Sequence, residues 1–444
     1  MAHRVVVVGG DAGGMTAISQ LRRGRPDAEV VALERGRWTS YSACGIPYVI
    51  GGEVGSVERL VARTPDEHRR NGIDLRTGHE AVELDVATGS VTVRDLDGGR
   101  TYQLGYDQLL IGTGGRPIRP PLPGIDLPFV NGVHTLDDGA RLVEVAAAGC
   151  PRVVVVGSGY IGLEVADAFA HHGCPTTVLD RRPAPLAILD PDMSELVAAA
   201  MRRHGIDLRS GVDVQGFDST RGVLTDQGDV PADVVVLGIG VAPRSELAGA
   251  AGIRLGVHDA IAVDERQATS APGVWAAGDC AESTHLVTGR KVYIALGTYA
   301  NKQSRIAGIN MGGGSARTPR VLGTAITKLC DTEVARTGLS SAEARAAGYD
   351  IVTSTIDATT RAGYFPGSAP IRVRFVVEST SGRLLGAQIV GGDGAAKRID
   401  TCATAITAGM DVRQIADLDL AYAPPFSSVW DPVAIAARAA SRRT

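Results

Sequence analysis

The chain has 444 residues, 44% of them hydrophobic and 21% charged, with a net charge of −4. That length exceeds a single core and predicts two to four domains, while the mild acidity argues against nucleic acid or an anionic membrane as the main partner. No apolar run reaches the roughly 18 residues of a membrane helix, and the opening MAHRVVVVGG enters a strand-like run at once, so a cytoplasmic protein is expected.

The first segment, VVVVGGDAGGMTAISQLRR (Val5–Arg23), reads as a buried parallel strand, a glycine turn and a helix. Gly9 and Gly14 fill the outer glycine positions, but Asp11 stands where the middle glycine is expected. The following strand, AEVVALER, ends in Glu34, placed to accept a hydrogen bond from a ribose hydroxyl. Next comes SYSACGIPYVIGG (Ser40–Gly52), which isolates one cysteine, Cys44, among small residues. Tyr106–Gly124 is an apolar strand running into Gly112, Gly114, Gly115 and a proline-rich stretch, as suits a crossing between domains.

VVVVGSGYIGLEVADAFAHHG (Val153–Gly173) repeats the strand, turn and helix with a full G-x-G-x-x-G at Gly157, Gly159 and Gly162. Its next strand ends in Asp180, followed by Arg181 and Arg182. Asp233–Leu247 repeats the crossing, and Thr269–Glu282 ends a strand with Gly278 and Asp279, setting a carboxylate at the mouth of a sheet. Beyond Val321, RFVVESTSGRLLGAQIVG predicts a hairpin about Ser379–Gly382, and TCATAITAGMDVRQIADL predicts a helix followed by a shorter one. The cysteines at 44, 150, 174, 280, 330 and 402 have no C-x-x-C spacing and no Cys/His cluster, which excludes a zinc site of ordinary spacing and argues against a disulfide scaffold.

This order of segments resembles the FAD-dependent pyridine nucleotide–disulfide oxidoreductases, most of all coenzyme A disulfide reductase and its NADH oxidase and persulfide reductase relatives. The resemblance implies an α/β chain with two Rossmann-like dinucleotide-binding domains and a C-terminal α+β dimerisation domain. The FAD domain would take residues 1–118 and 245–320, the NAD(P)H domain 119–244 and the dimerisation domain 321–444. By the same likeness Gly9, Gly10, Asp11, Ala12, Gly13, Gly14 and Glu34 hold FAD, with Arg35, Ser42, Gly112, Thr113 and Gly114 beside it. Gly278 and Asp279 meet the ribityl side. The pyridine nucleotide falls to Gly157, Gly159, Tyr160, Ile161, Gly162, Glu164, Asp180, Arg181 and Gly240. Asp180 favours NADH, while Arg181 and Arg182 begin a loop toward solvent and could swing over the 2′-phosphate of NADPH.

Dithiol members of that family carry C-x-x-x-x-C and a C-terminal His-Pro base. Here the residues five before and five after Cys44 are Thr39 and Val49, and Val321–Thr444 contains no histidine. A lone thiol can attack an external disulfide or persulfide, or cycle through sulfenic acid. Either use needs a thiolate, and C-G-I-P-Y is expected to begin a short helix whose N–H groups stabilise one. Cys150, Cys174, Cys330 and Cys402 are expected as small buried hydrophobes, and Cys280 as structural.

The resemblance further implies that Thr16, Gln20, Arg23 and Ser40 meet coenzyme A. Tyr422 and Tyr364 would reach across a homodimer and donate protons or hydrogen bonds in place of the missing histidine. Two positions depart from the family pattern: Ala43 replaces a common asparagine, and Trp430 a usual lysine, which weakens a pocket for a polyanionic thiol. The expected activity is NAD(P)H-driven reduction of a small-thiol disulfide or persulfide through FAD and Cys44, with NADH slightly favoured. An NADH oxidase using a Cys44 sulfenate and a low-turnover redox sensor are the alternatives.

Overall fold

The computed structural model describes residues 3–443. The Arg4–Val8 strand lies at the centre of a parallel sheet with strand order 274–276, 108–111, 4–8, 29–34 and 74–77. Val5 to Val8 are all buried, which is why the run reads as continuously apolar and not alternating. One face is covered by the helices Ala12–Gly24 and Gly297–Met311, where Ile18, Leu21, Ala307 and Met311 pack under Val5 and Val7. The other face meets Leu84, Val91 and Val93 from an antiparallel meander over 79–105.

The second unit repeats this plan. Val153–Val156 is central in the order 207–210, 176–180, 153–156, 234–237 and 130–131. The helices Tyr160–His171 and Pro191–Arg203 cover one face, and Phe217 and Val223 of a small hairpin cover the other. The two crossing segments pair with each other: Val241 with Pro117, Ala242 with Arg116 and Pro243 with Gly115, as a short antiparallel ribbon.

The C-terminal unit is an antiparallel sheet in the order 325–329, 332–338, 384–391, 370–378 and 351–359. The expected hairpin is present as Pro370–Glu378 and Leu384–Gly391, and the expected helix pair as Ile399–Thr407 and Val412–Ala416. This unit locks onto the second one through Asp190, which is buried, pairs with Arg374 at 2.5 Å and accepts from the Ser341 N–H at 3.0 Å. Among the described residues no helix is long and apolar enough to cross a membrane.

Candidate active site

The first glycine turn is built by close backbone approach. Gly9 has φ of 112°, and a Cβ there would stand 2.1 Å from the Gly112 carbonyl oxygen; on Gly14 it would stand 2.0 Å from the Gly9 oxygen. Only glycine satisfies both demands. Glu34 closes on this turn: its two oxygens accept from the Gly10 N–H at 2.8 Å and the Gly36 N–H at 2.7 Å. Asp11, the departure from the glycine pattern, accepts from the Tyr41 N–H at 2.9 Å and so ties the Cys44 loop to the turn. Burial, helped by the nearby Glu34 and Asp279 charges, pushes the Asp11 carboxyl up to about 6, and burial does the same to Asp279.

Gly278, at φ 88°, precedes Asp279 and has only Ala300 near an added Cβ, at 3.6 Å, while Gly114 has open space beside its backbone. Ser304 Oγ is buried without a protein partner and lies 3.2 Å from the point a Gly13 side chain would fill. Open glycine backbone, a helix N-terminus, paired carboxyls and an unpartnered hydroxyl together fit an FAD. Ala12 opens the helix, and Gly112 and Gly114 line the neighbouring strand end. Thr113 gives its hydroxyl to the Arg244 carbonyl, and Arg35 is exposed 3.4 Å from Glu80.

In the second turn Gly157 has φ of 102° and Gly162 packs so close that a Cβ would lie 2.0 Å from the Gly157 oxygen. Gly159 faces open space, with nothing nearer than 3.9 Å to an added Cβ, and Gly240 sits at φ 109°. Asp180 accepts from the Ser158 N–H at 2.8 Å and from the Arg182 N–H at 2.8 Å. The Arg182 guanidinium adds contacts at 3.1 and 2.9 Å, and these bonds hold the Asp180 carboxyl at about 2 against the cost of its burial. This corrects the expectation that both arginines point to solvent: Arg181 is exposed, but Arg182 folds back because its own strand-terminal carboxylate is the nearest anion. Tyr160 and Ile161 open the following helix, and Glu164, its fifth residue, accepts from Thr327 Oγ1 at 2.8 Å. Burial pushes Glu164 up to about 7.

Cys44 lies in a 3-10 turn, Ala43–Gly45, ahead of a five-residue helix, Ile46–Ile50, and is exposed. The Cys44 backbone N–H favours a thiolate, as expected, but it is outweighed. Its pKa is raised, first by desolvation, then by the Glu164 and Asp279 carboxylates, and a helix this short carries too little aligned dipole to reverse them. Ser42, exposed beside it, fixes the turn through its backbone: its N–H donates to Leu60 and its carbonyl accepts from Gly45, both at 2.9 Å. Ser40 is held in a left-handed conformation, φ 49°, with its hydroxyl 2.9 Å from Nε2 of the buried His68. Nothing in PDEHRR marks that histidine in the sequence, since its neighbours on the helix are solvent-facing or half-buried.

Thr16, Gln20 and Arg23 share one face of the first helix by their spacing. Thr16 Oγ1 donates to Asn301 at 2.8 Å; Arg22 donates to the Asn71 and Gly72 carbonyls, whereas Arg23 is exposed. Tyr364 and Tyr422 lie on the C-terminal unit, both exposed, and neither bonds Cys44 of the same chain. They share an exposed apolar patch with Phe426, Val429 and Trp430, Tyr364 being 78% and Phe426 76% exposed. The Arg438 guanidinium lies over the Trp430 ring, 4.3 Å from its centroid, a contact the sequence did not reveal.

Cys174, Cys280 and Cys402 are buried as expected, but Cys150 is exposed and Cys330 half-buried. Both correct the sequence reading, because Cys150 precedes its strand in a loop and Cys330 makes the turn between two strands, at φ 53°. Cys330 lines a cavity of about 1390 Å³ with Tyr48, Glu164, Arg203, Lys328 and Arg372, where the three units meet.

Two strand–glycine-turn–helix units, each closed by an acid, followed by an antiparallel sheet unit, define a two-nucleotide oxidoreductase. The chain belongs to the pyridine nucleotide-disulphide oxidoreductase family: residues 3–304 match its model and residues 324–434 match its dimerisation domain. An NAD(P)H coenzyme A polysulfide/persulfide reductase of Pyrococcus horikoshii is 38% identical over 447 residues, covering 99% of this chain and 98% of the relative. An NADH oxidase of Methanocaldococcus jannaschii is 34% identical, covering 99% of each chain. A solved NAD-dependent persulfide reductase from A. fulgidus superposes with a TM-score of 0.95 at 39% identity, over 99% of this chain and 83% of that one.

Proposed function

We propose that this enzyme uses NAD(P)H and FAD to reduce a disulfide or persulfide of a small thiol of the coenzyme A type, with Cys44 as the single reacting thiol. The observation that carries this reading is the anchoring of an exposed, unpaired Cys44 in a rigid loop bonded to the first nucleotide turn through Asp11 and Tyr41. The domain division is 1–118 with 245–320, then 119–244, then 321–444.

The Gly9–Gly14 turn, Glu34 and Asp279 hold the FAD, and the Gly157–Gly162 turn, Tyr160, Glu164 and Asp180 hold the nicotinamide nucleotide. Bound there, FAD supplies two-electron transfer between the nucleotide and the thiol centre. Cys44 as thiolate attacks one sulfur of the substrate disulfide; a Cys44–S bond forms, the substrate S–S bond breaks, and the departing thiolate takes a proton. In a homodimer Tyr422 and Tyr364 of the second copy stand at this step and donate that proton or hold the leaving sulfur. The exposed aromatic patch around them supports such a dimer, because an unpaired surface of this kind on a domain matched as a dimerisation domain is stabilised by burial.

Thr16, Gln20, Arg23 and Ser40 receive the coenzyme A portion. Arg438 over Trp430 returns a cation close to the position where a lysine is missing. Steady-state turnover with NADH and a panel of acceptors tests the reading: coenzyme A disulfide or persulfide is the best acceptor, and oxygen is poor. A relative named NADH oxidase keeps oxygen in the panel.

A further inference from the structure

Cys150 and Cys174 lead into neighbouring strands of the second parallel sheet. Cys150 lies in the loop between the Leu136–Ala147 helix and the Val153–Val156 strand, and Cys174 in the turn between the Tyr160–His171 helix and the Thr176–Asp180 strand. These strands pair Val153 with Thr176, and the Val153 N–H donates to the Pro175 carbonyl at 2.9 Å. Paired strands run about 4.8 Å apart, within the Cα separation of about 4.4 to 6.8 Å that a disulfide spans. The Cys150 side chain lies against the turn that carries Cys174, its thiol donating to the His172 carbonyl at 3.5 Å. Burial first, and then the neighbouring Cys150 thiol, push the Cys174 pKa up to about 11.

The two thiols differ in access. Cys150 is exposed and follows Gly149, which has φ of 138° and nothing within 4 Å of an added Cβ, so no neighbour pins this part of the loop. Cys174 is buried, and its N–H is held by the Phe169 carbonyl at 3.1 Å. A reagent in solution therefore meets Cys150, while Cys174 meets only what Cys150 brings to it. The same turn touches the Cys44 segment, since His172 Nε2 stands 2.7 Å from the Ile50 carbonyl at the end of the helix after Cys44.

We propose that Cys150 and Cys174 are a redox-active dithiol that closes to a disulfide by exchange with a small-molecule disulfide, RS–SR. Cys150 as thiolate attacks one sulfur: a Cys150–SR bond forms, the RS–SR bond breaks, and the departing thiolate takes up the proton that Cys150 gave up. Cys174 then attacks the Cys150 sulfur of this mixed disulfide. The Cys150–Cys174 bond forms, the Cys150–SR bond breaks, and the second thiolate leaves with the Cys174 proton. Two protein thiols are oxidised and one RS–SR is reduced to two RSH. Joining the reactants in one chain raises their effective concentration, which offsets the high pKa of Cys174. The proposal does not depend on the role of Cys44. It gives the second nucleotide unit its own thiol centre, which reads the level of small disulfides.

The test uses the FAD-loaded Cys44→Ser protein, which lacks the other exposed thiol. It is incubated with bis(2-hydroxyethyl) disulfide, alkylated with iodoacetamide and digested with trypsin without reduction. Trypsin cuts after Arg152, between the two cysteines, so peptides 142–152 and 153–181 stay together only through a disulfide. The expected product is that joined pair, lighter by two hydrogens than its parts, with alkylation of Cys150 lost and then restored by dithiothreitol. Adding Cys174→Ala removes the second step, so a stable mercaptoethanol adduct is expected on Cys150. Adding Cys150→Ser instead, a change at an exposed position, is expected to leave the buried Cys174 unmodified. A stable adduct on Cys150 in a chain that keeps Cys174, a Cys150–Cys150 link between chains, or a Cys150 that stays fully alkylatable overturns the assignment.

Discussion

Arg182 grips both oxygens of Asp180, through Nε at 3.1 Å and a terminal nitrogen at 2.9 Å. The pair forms within one strand end, so the residue best suited to a 2′-phosphate is already held by the carboxylate that we propose faces the ribose. A 2′-phosphate would have to meet Asp180, which stays ionised, while drawing Arg182 away from it.

Wild-type enzyme is therefore expected to prefer NADH over NADPH by roughly tenfold in kcat/KM, about 1.4 kcal/mol. Asp180→Ala releases Arg182 and should turn the preference toward NADPH, and adding Arg182→Ala should remove that gain. Measured kcat/KM for both nucleotides in the three proteins checks this. NADPH winning in wild type, or an unchanged ratio in Asp180→Ala, rules out the carboxylate as selector.

Asp279→Ala should lower FAD occupancy in the purified protein, measured as flavin absorbance per chain. The carboxyls of Asp11 and Asp279 also predict a pH effect on the FAD-free protein. Both are held near 6, above their ordinary 3.8, so the folded chain binds more protons than the unfolded one. Their contribution is full below about pH 4 and is lost as pH rises through about 6, worth at most about 3 kcal/mol each before solvent screening. Asp180, held at about 2, acts the opposite way and outside this window. Urea midpoints of the FAD-free protein should fall from pH 4.5 to 7, and Asp11→Asn should flatten that fall. A midpoint independent of pH in both proteins contradicts the assignment.

The nucleotide units were legible because their signals are local. A buried valine strand, a turn that only glycine fits and an acid at the next strand end lie within about 30 residues of one another. The hairpin at Ser379–Gly382 and the helix pair after Thr401 were legible from periodicity for the same reason. What stayed hidden depends on distant partners. His68 meets Ser40 across 28 residues, Thr327 meets Glu164 across 163, and no spacing rule connects them. The groups that oppose a Cys44 thiolate were hidden as well, because the Glu164 and Asp279 carboxylates come from two other segments.

Arg438 and Trp430 should matter for the polyanionic part of the substrate. Arg438→Ala is expected to raise KM for coenzyme A disulfide by about tenfold, the scale of one charge-assisted contact, while KM for NADH stays unchanged. Equal effects on both constants would mean that the residue supports the fold and not the pocket. If Tyr422 works across the dimer, mixing Cys44→Ser and Tyr422→Phe chains should restore activity, because half of the sites in a mixed dimer are intact. Sedimentation establishes that mixed dimers form, and activity no higher than the average of the two parents places Tyr422 outside the partner's site.

The most direct measurement compares wild type and Cys44→Ser in two assays on the same FAD-loaded samples. One is the rate at which NADH bleaches the flavin, and the other is turnover with coenzyme A disulfide or persulfide. The expected result is unchanged bleaching, because the proposed nucleotide site is the Gly157 unit, together with loss of turnover by at least about a thousandfold, as for removal of a covalent nucleophile. Thiol turnover in Cys44→Ser equal to wild type would contradict the account.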